Sequence, residues 1–367
     1  MKDLASVREA RGELAWRGLC WPKPEQRLLL ACLHLPADEA RAAYRDWRAS
    51  IDLDTLDAGS LSMMPLLGAR LRELAIDDPI LPRLRGAHRR AWCNGQLLTR
   101  GAIKAVDVLI ARKIPLLALK GLSLLDCYDN DLGLRPMSDV DLLLPHDRAL
   151  EAVHELARAG FEPRPALSQD ELVGKLTSFH GWSMAAGRVE IDVHWSSLIE
   201  DLSRHGDQRL WRRAEEWTFA GRQLSRPSRT DLLFHVCVHG ARWSRTMSIA
   251  WVTDGMRLLD STRGAGTIDW DMLTAEARAR SLQVPVHEAL RFLREHLRAD
   301  VPATVLDELR PPEPAWIYWY AYHAFSADPR KSHALHRAAA QIVAKLRAGQ
   351  LVEAIPACPP GASLRRL

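Results

Sequence analysis

The chain has 367 residues, 47% of them hydrophobic and 26% charged, and its net charge of +4 is spread along the sequence rather than gathered in a tail. These are the proportions of an ordinary globular protein with core enough for two or three domains, and the small positive excess suits an anionic ligand such as a nucleotide without calling for DNA or RNA. Six cysteines with no CxxC pair exclude a disulfide framework and a zinc knuckle.

The opening MKDLASVREARGELAW lacks the apolar stretch of a signal peptide, and the most apolar runs, Leu28–Leu35 and Ile114–Leu119, are too short to span a bilayer. A cytoplasmic protein without a membrane partner is expected. Residues 1–105 read as a helical region, with apolar residues at helical spacing in Leu28–Leu35 and Leu61–Leu74, and Pro22, Pro36, Pro65 and Pro82 near helix starts and stops. No residue pattern in this region carries chemistry.

The pattern changes near residue 106. Ala102–Arg112 reads as a helix. Ile114–Leu119 follows as a strand buried on both faces, and Lys120-Gly121 closes it before a helix beginning at Leu122. Ser138–Leu144 is a second strand, ended by Pro145. His146–Gly160 is an amphipathic helix with Gly160 as its stop. Phe179–Ala185 and Arg188–Trp195 form a hairpin about Ala186-Gly187, and Glu190, Asp192 and His194 share one face of its second arm. From about 223 the chain is helical again: Asp231–His239, Ile249–Leu259, Val286–Leu297 and Ser332–Leu346, then a loose Pro-, Gly- and Arg-rich end.

Asp139 and Asp141 are the centre of the chemistry. One residue apart on a strand, they project from the same face with Cα atoms roughly 6.5–7 Å apart. Carboxylates at that spacing share one hard cation or bind two neighbours, and magnesium is commonly held by one or two carboxylates plus substrate phosphates. Alone, Asp-x-Asp is more often a solvated edge strand. Nineteen positions before Asp139 stands Lys120, and the adjoining Gly121 at a strand-to-helix turn allows close backbone approach to a phosphate. Lys120, Ser123 and Arg135 offer two charges and a hydroxyl to the same polyphosphate. Against that stand a plain tight turn, a surface lysine and a loop arginine. Asp192 supplies a third carboxylate, either to complete a metal site or to take a proton from an attacking hydroxyl. Glu190 and His194 flank it as candidate substrate contacts; the bland readings are a solvated glutamate and a structural histidine beside Trp195. His235 and His239, with Asp231 on the same helix face, read as packing or substrate contacts rather than a zinc site, since no HExxH glutamate accompanies them. No GxSxG, P-loop or GxGxxG pattern occurs.

Together, the Leu119-Lys-Gly-Leu run, the Arg135-Pro-Met-Ser-Asp-Val-Asp-Leu-Leu segment and the Asp192-Val-His-Trp strand resemble the DNA polymerase β-type nucleotidyltransferase superfamily. More narrowly, they resemble a group of poorly characterised bacterial nucleotidyltransferase family proteins, over roughly residues 110–260. The broader superfamily has Gly-Ser or Gly-Gly at the turn, where this chain has Lys120-Gly121 and then Leu122, so its phosphate contacts depart from the common pattern. The resemblance implies an α+β fold, with a mixed sheet and flanking helices at 106–222 between helical regions at 1–105 and 223–367. It also implies Mg2+ or Mn2+ on Asp139, Asp141 and Asp192, a nucleoside triphosphate as substrate, and transfer of its nucleotidyl group to a hydroxyl of a small molecule or peptide with release of pyrophosphate. Kinase-like phosphoryl transfer on the same scaffold and a non-catalytic nucleotide-binding or antitoxin-like regulator are the alternatives.

Overall fold

The computed structural model describes residues 22–240, 248–264 and 266–310. Cys20, Cys358, the expected helix Ser332–Leu346 and the loose C-terminal stretch lie outside them. Five helices come first: Pro24–His34 (α1), Ala37–Ser50 (α2), Ala58–Ser62 (α3), Met64–Glu73 (α4) and Leu81–Ala111 (α5). Pro24, Pro65 and Pro82 occupy first turns, where a missing N–H leaves no hydrogen bond unmade. At 31 residues, α5 is far longer than the helix expected at Ala102–Arg112, and it runs unbroken through the change of pattern near 106.

The middle of the chain builds one seven-stranded mixed sheet. In sequence come Leu117–Ala118 (β1), Lys120–Ser123 (α6), a 3-10 turn at Leu125–Tyr128, Val140–Leu143 (β2), Ala149–Arg158 (α7), Glu162–Arg164 (β3), Gln169–Ser178 (α8), Gly181–Ala186 (β4), Val189–His194 (β5), Gln208–Arg213 (α9), Glu215–Phe219 (β6) and Arg222–Arg226 (β7). The spatial order is β3-β4-β5-β2-β1-β7-β6. β2 runs parallel to β5, β1 runs parallel to β7, and the other neighbours are antiparallel. Arg229–His235 (α10), a π-helical turn Val236–Gly240, Ala250–Leu259 (α11), Trp270–Ala279 (α12), Gln283–Leu297 (α13) and Ala303–Leu309 (α14) complete the described chain. The architecture is α+β, with a mixed sheet flanked by helices.

Strand alternation divides the buried residues. Val140, Leu142 and Leu144 of the β2 segment, with Ile191 and Val193 of β5, pack with Leu98, Ala102, Val106 and Leu109 of α5 and with Ala152, Val153 and Leu156 of α7. The intervening side chains point to the opposite face, where Leu117, Leu119, Leu143 and Leu210 form a small apolar floor. Residues of α1, α2 and α4 share one core with residues of α10 through α14, so the two ends of the described chain close over each other. Among the described residues no helix is long and apolar enough to cross a membrane.

Gly101 sets the distance between α5 and the sheet: a Cβ there would fall 2.3 Å from Val189 Cγ2 and 2.8 Å from its Cβ. Helix propensity alone would reward Gly101→Ala by roughly 0.8–1 kcal/mol. The clash should reverse the sign, giving a net loss of about 1–3 kcal/mol in chemical denaturation; a more stable variant would refute this tight seat. A second expectation concerns acid. His34 of α1 hydrogen-bonds Thr253 of α11 at 3.2 Å, and burial, then Arg257, push its pKa down to about 3. A histidine held neutral in the fold contributes stability that is complete above its unfolded pKa near 6.5 and is lost as pH falls from there toward 3. His34→Gln should therefore flatten the dependence of unfolding free energy on pH across that window, and an unchanged slope would contradict it.

Candidate active site

Two parallel strands place the carboxylates. β2 and β5 pair with Asp141 opposite Asp192, on the face away from α5 and α7. Asp139 lies just before β2, two residues from Asp141, and so belongs to the same face. Asp141 is buried, whereas Asp139 and Asp192 are half-buried. The parallel register thus brings Asp141 and Asp192 together, with Asp139 near enough to feel the charge of both but outside the closest group of ligand atoms, Asp141, Asp192 and His194.

A lysine meets Asp141 directly. Lys120 takes a left-handed backbone conformation, with φ of 47°, and its Nζ lies 2.5 Å from Asp141 Oδ1. His194 Nε2 is 2.8 Å from the same oxygen. Ser183, directly across the hairpin from Asp192, donates its hydroxyl to Asp192 Oδ1. The charges are far from balanced. Burial first, then the charges of Asp141 and Asp192, raise the Asp139 carboxyl to about 6. Burial opposes the ionisation of Asp141 too, but Lys120 and His194 outweigh it and hold that carboxyl well below the usual range.

Asp141, Asp192 and His194 offer ligand atoms that all lie within 4.8 Å of one another, close enough to hold a metal ion. The tautomer decides the part of the histidine. Nε2 faces a carboxylate oxygen and is the protonated donor, while Nδ1 is buried without a partner against the backbone of Gly181. In this arrangement His194 has no lone pair to give at Nε2, and it orients Asp141 instead. Carboxylate oxygens with an unbalanced negative charge are the donor set that a hard divalent cation needs.

The other expected contacts divide. Arg135 is not a free loop cation: its Nε and Nη2 grip the two oxygens of Asp254, each at 2.8 Å, and Tyr128 donates to Asp254 Oδ1 at 2.6 Å. The third nitrogen, Nη1, packs on Gly121, where a Cβ would come within 2.3 Å of it and 2.8 Å of Met137 Sδ. Gly121 is therefore small to admit Arg135 and Met137, and the positive φ of the turn belongs to Lys120. The helix expected from Leu122 is the single turn α6 and a 3-10 turn, so the anion-binding helix start is lost. Ser123 is fully buried and donates to the Lys120 carbonyl at 2.9 Å, which leaves its hydroxyl no surface to present to a phosphate.

Glu190 is exposed on β5. His235 is buried, donates Nε2–H to the Ser197 carbonyl at 3.1 Å, and is pushed down to about 3 by burial and then by Lys120. Asp141 and His194 also act on it, so it stands beside the cluster rather than in it. His239, on the π-helical turn, stacks on His235 with ring centroids 5.2 Å apart. Asp231 is an internal partner of Arg213 and Ser228. The sequence reading missed Ser183 altogether, and it associated Asp254 with the His235 and His239 stripe rather than with Arg135. Counting back from the Gly187 turn would have placed Ser183 opposite Asp192. Asp254 lies 119 residues from Arg135, with no local signal to join them.

Residues 58–298, well over half of the chain, match the family model described as "Uncharacterised nucleotidyltransferase". The solution structure of the antibiotic-resistance factor ANT(2'')-Ia is similar at 14% identity, over 55% of this chain and 98% of that one, with a TM-score of 0.34. No curated relative matches the sequence. The extent of the family match makes this chain a member of the uncharacterised nucleotidyltransferase family, and a nucleotidyltransferase enzyme by that membership.

Proposed function

We propose that the protein moves a nucleoside monophosphate from a nucleoside triphosphate to an acceptor hydroxyl on a small molecule or peptide. The observation that carries this reading is that Asp141 and Asp192 pair on one sheet face with Asp139 close enough to feel both charges, and that Lys120 meets Asp141 there. Asp139, Asp141 and Asp192 would hold Mg2+ or Mn2+, which when bound supplies positive charge against the phosphates and the developing negative charge of the transfer.

The residues divide the remaining work. The acceptor oxygen attacks the α-phosphorus, the bond from that phosphorus to the β-bridging oxygen breaks, and pyrophosphate leaves. The acceptor proton passes to Asp192 Oδ2, the oxygen that Ser183 leaves open. Lys120 is positioned to exchange its hold on Asp141 for a phosphate oxygen when the carboxylate charge is met by a cation. Arg135, already fixed by Asp254, presents Nη1 beside Gly121 and offers a preset guanidinium edge to the triphosphate. Glu190 and His239 are candidate acceptor contacts, and His235 stacks on His239.

The test is transfer from ATP labelled at either the α or the γ position, with magnesium and a panel of hydroxyl acceptors. Label from α should appear on the acceptor. Label from γ on the acceptor would replace this reading with phosphoryl transfer, and tight nucleotide binding with neither label transferred would replace it with a regulator. Asp192→Asn should lower turnover by about 10²–10⁴-fold while leaving the unfolding midpoint near that of the parent; undiminished turnover in that variant would remove Asp192 from the mechanism.

A further inference from the structure

A cavity of about 330 Å3 lies between the ends of α1, α4, α11 and α13, and none of its lining residues comes from the sheet or the carboxylate cluster. Four arginines line it: Arg70, Arg257, Arg263 and Arg298. Three of these are matched by carboxylates, Arg70 by Glu73 at 3.0 Å, Arg263 by Asp260 at 3.2 Å and Arg298 by Glu39 at 2.7 Å. Arg257 is not. It is 8% exposed, and no carboxylate among the described residues forms an ion pair with it. Its Nη1 donates to the Cys127 carbonyl at 2.6 Å, its guanidinium lies 4.3 Å from the centroid of the Tyr128 ring, and its Nε is buried with no partner.

A buried guanidinium without a counter-ion carries a desolvation cost that a carbonyl and an aromatic face offset only in part. Burial, and the neighbouring Arg263, push the Arg257 pKa below its ordinary value, and Tyr128 and the Asp129 carboxylate, which pairs with Arg263, offset this only in part. The remaining wall does not supply the missing anion: His34 is held neutral, and Asp260 is engaged by Arg263. Glu73 is held by Arg70, and Asp300 forms no ion pair and stays exposed.

We infer that this cavity binds a small phosphate-type oxyanion, free or as the phosphate of a small molecule, with Arg257 at its floor and Arg263 and Arg298 at its rim. With Nη1 of Arg257 spent on Cys127 and its Nε buried, Arg257 acts on the anion chiefly by its charge while the rim guanidiniums supply N–H donors, and the volume admits a phosphate or diphosphate group. The site is independent of the proposed nucleotidyl transfer. It reaches the same loop through protein contacts, because Arg257 holds the 3-10 turn whose Tyr128 donates to Asp254, the anchor of Arg135.

The experiment titrates inorganic phosphate and pyrophosphate into the full chain in the presence of EDTA and at constant ionic strength, by calorimetry and by thermal shift. EDTA removes divalent metal, so that pyrophosphate is not recruited to the carboxylate cluster. One-to-one saturable binding with a raised Tm is expected, weakened tenfold or more in Arg257→Gln and also in Arg263→Gln, unchanged in Asp139→Asn, and tightened in Asp300→Asn. Arg263→Gln keeps the test decisive should Arg257→Gln fail to fold, since Arg263 pairs only with half-buried or exposed carboxylates. Absence of saturable binding overturns the inference. So does binding that survives the rim substitution, or binding that is lost in Asp139→Asn.

Discussion

The site depends on a single strand register. β2 and β5 run parallel with Asp141 beside Asp192, and a shift of one residue in either strand would send its acid into the layer of Leu142 and Val193. The apolar alternation enforces the register. Val140, Leu142, Ile191 and Val193 are buried against α5 and α7, so the strands cannot slide without exposing four apolar side chains and burying two charges. The same packing that stabilises the sheet therefore fixes two carboxylates side by side on its other face.

Two like charges at that spacing repel, and the protein tolerates them unequally. Asp141, deepest in the site, receives both Lys120 and His194 and stays ionised. Asp139 makes neither contact, and burial first, then the charges of Asp141 and Asp192, raise its pKa against the weaker opposing effects of Lys120 and Ser138. A site made for stability alone would more often pair each acid or replace it with an apolar residue. Leaving one carboxylate with a raised pKa beside two others keeps negative charge concentrated on this face of the sheet, as the proposed cation binding requires.

The sequence made the chemistry more legible than the architecture. Asp139, Asp141 and Asp192 stand on buried strands whose period-two pattern is written in Val140, Leu142, Ile191 and Val193, so their common face followed from alternation. The hairpin of β4 and β5 was marked by Gly187, which has a φ of 63°. The hairpin of β6 and β7 turns on Ala220 and Gly221, both with positive φ, but its strands carry mostly polar side chains that hide the alternation. What the sequence could not express were pairings across long separations. Arg135 looked like a free loop cation because its partner Asp254 is 119 residues away, and His194 looked like a substrate contact or a structural histidine because Asp141 is 53 residues away. Ser123 looked available because a one-turn helix that buries it cannot be distinguished, by propensity, from the start of a longer one.

These distant pairings give the helical ends of the chain a part in the site. α11 provides Asp254, which fixes Arg135, and also Arg257, which holds the turn after α6. α11 is itself buried among residues of α1, α4 and α13 in the core shared by the two ends. The Lys120–Gly121 turn is thus gripped from both sides, by Asp141 on the sheet and by Arg135 leaning on α11. Gly121 is the point where these two grips meet, and a side chain of any size there would have to displace either Arg135 Nη1 or Met137 Sδ. The small residue that reads in sequence as room for a phosphate is in the fold room for an arginine, which Asp254 of α11 holds in place.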